Sequence, residues 1–314
     1  MKPSFSLNDA VGAPFVLIRR RPLAVFVWGL LMIAVVAAIY SLLIPLVISL
    51  PWSEGAAAMD ARTPELLKFQ TASNGLTLVM YLLMLLTFNA AGRATLSPAR
   101  GDPFLFLRLG MDEVRVAVVV VAAFIGWYVA LLLLILIGVG IGVALWPTGE
   151  ATAIGVLILY GVVVFIAAVV GWCRVCLIGP TTLILGRFAF AEGWAIARGQ
   201  VARLIGLHLV IWVIYMLVYV VVIAIVAAIV IGGFLAQGLV WPETVGSPQD
   251  LTPLVRPMIG PLLVTLPILA FSYGAYIAMV AVPFVRAARQ LLDGVPAAPA
   301  IVEDAPPADT LQPS

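Results

Sequence analysis

The chain has 314 residues, 64% of them hydrophobic and only 10% charged, with a formal net charge of +2. Soluble domains carry about 25% charged residues. The composition therefore excludes a soluble globular enzyme, a disordered regulator and a nucleic-acid binder with a dense basic face. It describes a chain that spends most of its length in lipid, with membrane lipids as partners and no nucleic acid.

Six stretches of 23 to 39 residues lack Asp, Glu, Lys and Arg altogether: 22–53, 69–92, 116–149, 151–173, 204–242 and 257–285. Each exceeds the roughly 20 residues with which an α-helix crosses a 30 Å hydrocarbon core. Hydrocarbon offers no partner for unpaired backbone groups, so these runs are expected to be transmembrane helices. A seventh uncharged run, 175–186, is too short to span and contains Pro180, which predicts an interfacial or re-entrant segment. The run 22–53 is about twice the length of a signal-peptide core, so it reads as a retained anchor despite Arg19-Arg20-Arg21 ahead of it.

Orientation follows from the basic residues. With the N-terminus inside, cytoplasmic segments hold 14 of them and outer segments only Arg62, Lys68 and Arg256. This positive-inside bias places both termini in the cytoplasm and suits a bacterial inner membrane.

Landmarks recur along the chain. Pro51-Trp52, Trp146-Pro147 and Trp241-Pro242 close the odd-numbered helices, and Asp9, Asp102 and Glu192 each precede arginines and a helix. The spacings predict three parallel-repeated hairpins, over about 1–97, 98–182 and 183–293, each led by a cytoplasmic interfacial amphipathic helix. In the second unit Asp102-Pro103 supplies a helix start, followed by Phe104 to Leu109 around Arg108. In the third, Phe188, Phe190 and Trp194 are expected among acyl chains while arginines meet phosphates. The outer segment contains a further helix start, Thr63-Pro64-Glu65. The proline-rich tail, 294–314, is expected to be disordered.

Chemistry-bearing residues are few. His208 is the single histidine and no carboxylate lies in a span, so no catalytic set, metal site or cofactor is expected. Cys173 and Cys176 share a helical face but lack the second pair of a metal site, and read as small apolar contacts. Gly138-Val-Gly-Ile-Gly142 lies inside a span without a preceding strand, so it reads as helix packing and not as a nucleotide fingerprint. Small residues recur every four positions at Ala122, Gly126 and Ala130, at Ala224, Ala228, Gly232 and Ala236, and at Ala270, Gly274 and Ala278. That spacing lets helix backbones approach closely and predicts a compact bundle. Were a cavity present, Asn89, His208, Thr265, Ser272, Tyr273 and Tyr276 would line it, with Pro267 as a hinge.

The segment Glu192-Gly-Trp-Ala-Ile-Ala-Arg-Gly-Gln-Val-Ala-Arg-Leu resembles one that recurs in a bacterial polytopic family. That family is the membrane domain associated with glycerophosphoryl diester phosphodiesterases, together with related uncharacterised inner-membrane proteins. Glu192, Trp194, Arg198, Gly199 and Arg203 carry the match. The resemblance implies a membrane-domain relative with six spans. It implies no phosphodiesterase, since the hydrolase domain has no counterpart here.

The expectation is an all-α, six-span, non-enzymatic inner-membrane scaffold or lipid-interacting module. Its inner edge, formed by Arg19, Arg20, Arg21, Arg108, Arg115, Arg198 and Arg203, is expected to contact anionic headgroups. The alternative is a permease-like protein for a lipid or weakly polar solute.

Overall fold

A computed structural model describes residues 4–49, 63–97, 105–108, 110–238 and 252–294. Among them lie the helices α1 (Leu7–Arg20), α2 (Pro22–Ser49), α3 (Thr63–Leu96), α4 (Met111–Leu145), α5 (Glu150–Val175), α6 (Ile178–Leu185), α7 (Phe190–Ile196), α8 (Val201–Ala236) and α9 (Thr252–Asp293). A 3-10 turn at Trp146–Thr148 joins α4 to α5. No strand occurs among the described residues, and six helices are long and apolar enough to cross a membrane. The fold is an all-α polytopic membrane protein. The landmarks Pro51-Trp52, Asp102-Pro103 and Trp241-Pro242 and the tail beyond Gly294 lie outside the described residues.

Helix α9 is the hub. It packs against α2, α8, α1, α3 and α6, and Ala270, Gly274 and Ala278 are buried, as their spacing predicts. The crossing with α2 is backbone to backbone. A Cβ on Gly29 would overlap the Ala270 carbonyl oxygen, and one on Gly274 would overlap that of Val25. Only glycine permits such an approach, which brings the fully buried Trp28 and Val25 of α2 into the core.

The other two small-residue stripes behave differently. Ala122, Gly126 and Ala130 of α4 and Ala224, Ala228, Gly232 and Ala236 of α8 are exposed. A Cβ on Gly126 or Gly232 would meet nothing within 4 Å. Close packing in the second hairpin uses other glycines. A Cβ on Gly138 would stand 2.8 Å from the Tyr160 ring, whose hydroxyl donates to Leu134 O at 2.5 Å. The run at Gly138 is thus a helix contact. On α8 the tight glycine is Gly233, against Pro261 of α9. Packing is therefore dense around α9 and sparse along α4, α5 and α8, not the uniformly compact bundle that the stripes suggest.

The short segments concentrate at the arginine-bearing end. α1 is capped by Ser6, whose Oγ accepts from Asp9 N at 3.4 Å, and buries Ala10, Pro14 and Leu17. Asp9 pairs with Arg286 of α9 at 2.8 Å and also accepts from Gln290 Nε2. The second connector departs from expectation: residues 105–108 form a turn, not an interfacial helix. Leu105 and Phe106 have φ of 54° and 65°, a left-handed conformation that bulky residues adopt only when held. Trp28 Nε1 holds Leu105 O at 3.1 Å, and Arg93 Nη2 holds Phe106 O at 2.7 Å. Apolar periodicity says nothing of such a clamp.

The run 175–186, expected as an interfacial or re-entrant segment, is short and helical. It folds into α6, with Ile178, Gly179, Thr181 and Thr182 buried. Its hydroxyls are satisfied locally: Thr181 donates to Leu177 O at 2.7 Å, and Thr182 Oγ1 accepts from Ala189 N at 3.3 Å. Gly186, at φ 63°, ends the helix, and Gly193 of α7 lies where a Cβ would be 2.6 Å from Ile178 Cα.

Candidate functional site at the arginine-bearing end and the cavity beneath it

Arginines at this end fall into two sets. The first is engaged within the chain. Arg93 at the end of α3 pairs with Glu113 at the start of α4, and Glu113 Oε2 accepts from Gly110 N at 2.8 Å. Glu113 is buried, and Arg93 supplies its counter-charge. Arg115 bonds Asp112 at 3.0 Å and Gly186 O at 2.6 Å. Arg187 pairs with Glu192 at 2.8 Å. Arg21 stacks over Phe106, 4.5 Å from the ring centre, and Arg174 lies 5.2 Å above Trp194.

The second set comprises Arg19, Arg20, Arg198 and Arg203, all exposed and without an ion pair among the described residues. Arg108 is also exposed, and its carbonyl accepts from Arg93 at 3.5 Å. Of the seven arginines expected at headgroups, Arg115 and Arg21 thus carry structural duties as well. Sequence reasoning missed Glu113 as the anchor of Arg93. The signal available was its place three residues after Gly110, where a glutamate can cap its own helix.

A groove of about 410 Å³ opens between α1 and α3. Arg20, Arg21, Arg286 and Asp9 give it a polar rim, and Val16, Leu17 and Ala94 an apolar wall. Arg286 joins Arg20 and Arg21 only because α9 returns to α1, a proximity that no local pattern encodes.

The six polar residues expected around a cavity separate. Asn89 and His208 come together in the wall of a cavity of about 370 Å³ bounded by α3, α4, α5, α6, α8 and α9. His208 Nδ1 meets Leu204 O at 2.8 Å, and its ring lies 4.5 Å from that of Phe284. Ser272 instead lines a groove between α8 and α9 with Pro267 and Phe271, and donates to Ile268 O at 2.8 Å. Thr265 is buried and donates to Leu262 O at 2.7 Å within its own helix. Tyr273 is exposed, and Tyr276 packs 4.7 Å from the Tyr215 ring. Helix α9 therefore does not supply one polar cavity: its polar groups are distributed over separate surfaces.

Cys173 and Cys176 are both free thiols. Cys173 is buried in the core, and Cys176 Sγ donates to Cys173 O at 3.0 Å. Among the described residues no three His, Cys, Asp or Glu side chains gather as a metal site requires. The segment around Glu192 has local explanations. Glu192 holds Arg187, Trp194 lies under Arg174, and Gly199, at φ 77°, takes the turn between α7 and α8. Compared with known proteins, the chain matches no family model, no curated protein and no solved structure.

Proposed function

We propose that this chain is a non-enzymatic, lipid-interacting module of a bacterial inner membrane, with the arginine-bearing end on the cytoplasmic side. The observation that carries the reading is the division of the arginines. Those that hold helices together are paired, while Arg19, Arg20, Arg198 and Arg203 are exposed at the same end. Basic residues near an anionic leaflet are each worth about 1 kcal/mol, and the α1–α3 groove adds apolar surface beside Arg20 for the upper part of an acyl chain. The short likeness at Glu192–Arg203 to the membrane domain of a lipid-related family agrees with this reading.

The test is lipid selectivity. The protein is reconstituted in nanodiscs of equal phosphatidylcholine and phosphatidylglycerol, and co-purifying lipid is quantified after gentle delipidation. Enrichment of phosphatidylglycerol is expected, lost in the variant Arg19→Gln/Arg20→Gln/Arg198→Gln/Arg203→Gln at unchanged thermal stability. Equal retention of both lipids by the wild type would refute the proposal. A second reading, a permease-like protein for a lipid or weakly polar solute, is favoured by the groove of about 490 Å³ at Pro267 and Ser272. It predicts lipid translocation in proteoliposomes that Ser272→Leu abolishes.

A further inference from the structure

Four tyrosines gather on one flank of the α8–α9 pair, well inside the spans. The Tyr215 ring stacks on that of Tyr219 at 5.8 Å and lies 4.7 Å from that of Tyr276. Tyr219, Tyr273 and Tyr276 all lie within electrostatic range of the Tyr215 phenol. None of the four hydroxyls has a hydrogen-bond partner among the described residues, unlike that of Tyr160, which donates to Leu134 O. Nor is the cluster sealed in. Tyr219 and Tyr273 are 46% and 40% exposed, and Tyr215 and Tyr276 are half-buried without an occluded hydroxyl. Tyr215, Val218, Tyr219 and Val222 share one face of α8 by their spacing, and Tyr276 follows Ala275 on α9. The cluster therefore adjoins the 490 Å³ groove, whose walls include Val218, Val222, Ile268, Phe271 and Ala275 and no charged residue.

We propose that this flank binds a neutral, membrane-soluble quinone: a ring carbonyl accepts from the tyrosine hydroxyls, and the hydrocarbon tail lies along the α8–α9 groove. Three features select this chemistry. Phenol donors in hydrocarbon call for an acceptor, and without a charged residue beside them the acceptor must be neutral. Depth narrows the choice further. Tyr215 and Tyr219 lie 12 and 16 residues after Arg203, and Tyr276 and Tyr273 lie 10 and 13 before Arg286. At 1.5 Å per residue the cluster is about 15–24 Å beyond the arginines, near the middle of a 30 Å hydrocarbon core. Phospholipid ester carbonyls and lipid hydroxyls sit in the interfacial layers, only about 5–8 Å thick on each side, and do not reach it. A quinone is uncharged, has no donor of its own and carries two carbonyl acceptors into the hydrocarbon. Its flat ring also suits offset stacking on the phenol rings. This depth rests on the headgroup placement proposed above; the cluster and its groove do not.

The experiment uses the full chain in phosphatidylcholine nanodiscs, with empty nanodiscs as the measure of simple partition, and two radiolabelled probes. One is decyl-p-benzoquinone; the other is decylbenzene, which has a six-membered ring and the same tail but no carbonyl. Binding is followed by scintillation proximity. The quinone is expected to bind saturably and about fivefold tighter than decylbenzene, the ratio that one net hydrogen bond supports. Tyr215→Phe/Tyr219→Phe/Tyr273→Phe/Tyr276→Phe keeps the rings, removes the hydroxyls and should bring the quinone down to the decylbenzene level. Tyr160→Phe, on the α4–α5 hairpin, should leave quinone binding unchanged, and Val222→Trp, which fills the groove, should weaken both probes. A quinone signal no greater than that of empty nanodiscs, or equal binding of the two probes by the wild type, would overturn the proposal without recourse to any variant. So would a fourfold Phe variant of native stability that binds quinone as the wild type does. The discs hold no anionic lipid, so the outcome is separate from the headgroup selectivity tested above.

Discussion

Helices α8 and α9 are consecutive spans, yet the more apolar one is the less buried. α8 has the highest mean hydropathy of the six, 3.1, and none of its most apolar window is buried; α9 has 1.9, and 61% of its window is buried. α4 and α5, at 2.8 and 2.9, are each only 6% buried. In water this order would be reversed. In lipid, apolar side chains gain nothing by leaving the solvent, so burial follows close backbone fit and polar contacts. α9 has both, in Gly274 against α2 and in Arg286 and Gln290 against Asp9.

The sharpest way to break this contrast is to insert the same side chain at matched positions. Gly274→Leu is expected to cost about 3 kcal/mol or more, because the obstruction is the Val25 backbone and cannot rotate away. Gly232→Leu and Gly126→Leu, on stripes of the same spacing, should change stability by less than about 0.5 kcal/mol. Thermal unfolding in detergent micelles compares the three. Equal losses would show that the α4 and α8 stripes are contact surfaces after all.

The next effect separates the arginine-bearing end from the apolar shafts. Glu113→Gln and Arg93→Met should each destabilise by about 2 kcal/mol, less than for a fully enclosed pair because Arg93 keeps 21% exposure. A double-mutant cycle should show strong coupling between them. Additive losses would mean that the pair does not join α3 to α4.

Trp28→Phe retains the buried ring but removes the bond to Leu105 O, for about 1 kcal/mol. Protease access at 105–108 should rise, since the left-handed turn loses one of its clamps. The smallest effect is expected at Asp9→Asn. Its bonds to α9 are partly exposed, so the loss is about 0.5 kcal/mol. It should register as faster hydrogen exchange in α1 with α9 unchanged.

The six spans were legible because exclusion of charge from hydrocarbon is a property of each residue. α2 begins at Pro22 as the uncharged run does, and α3 begins at Thr63, where Thr-Pro marks a helix start. Partnership was less legible, since spacing shows that a stripe can pack but not whether another helix meets it. Of three such stripes, only that of α9 is used. The site was legible in part for the same reason. Asn89 and His208 were conspicuous as polar groups in spans, but they line one cavity only because α3 and α8 both pack against α9. Thr265 was conspicuous too, and merely bonds its own helix. The clamped turn at Leu105 and Phe106 had no local signal, because its left-handed backbone is imposed by Trp28 and Arg93 from other helices.

The contrast between α8 and α9 is tested most directly by oxygen accessibility of spin labels in bilayers, since oxygen concentrates in hydrocarbon. Labels are placed singly at Leu217, Val221 and Ile225 on α8 and at Ala275, Met279 and Val282 on α9. The account predicts high collision rates at all three α8 positions and low rates at all three on α9, in line with their exposure and burial. Equal rates on the two helices, or low rates along α8, would contradict it.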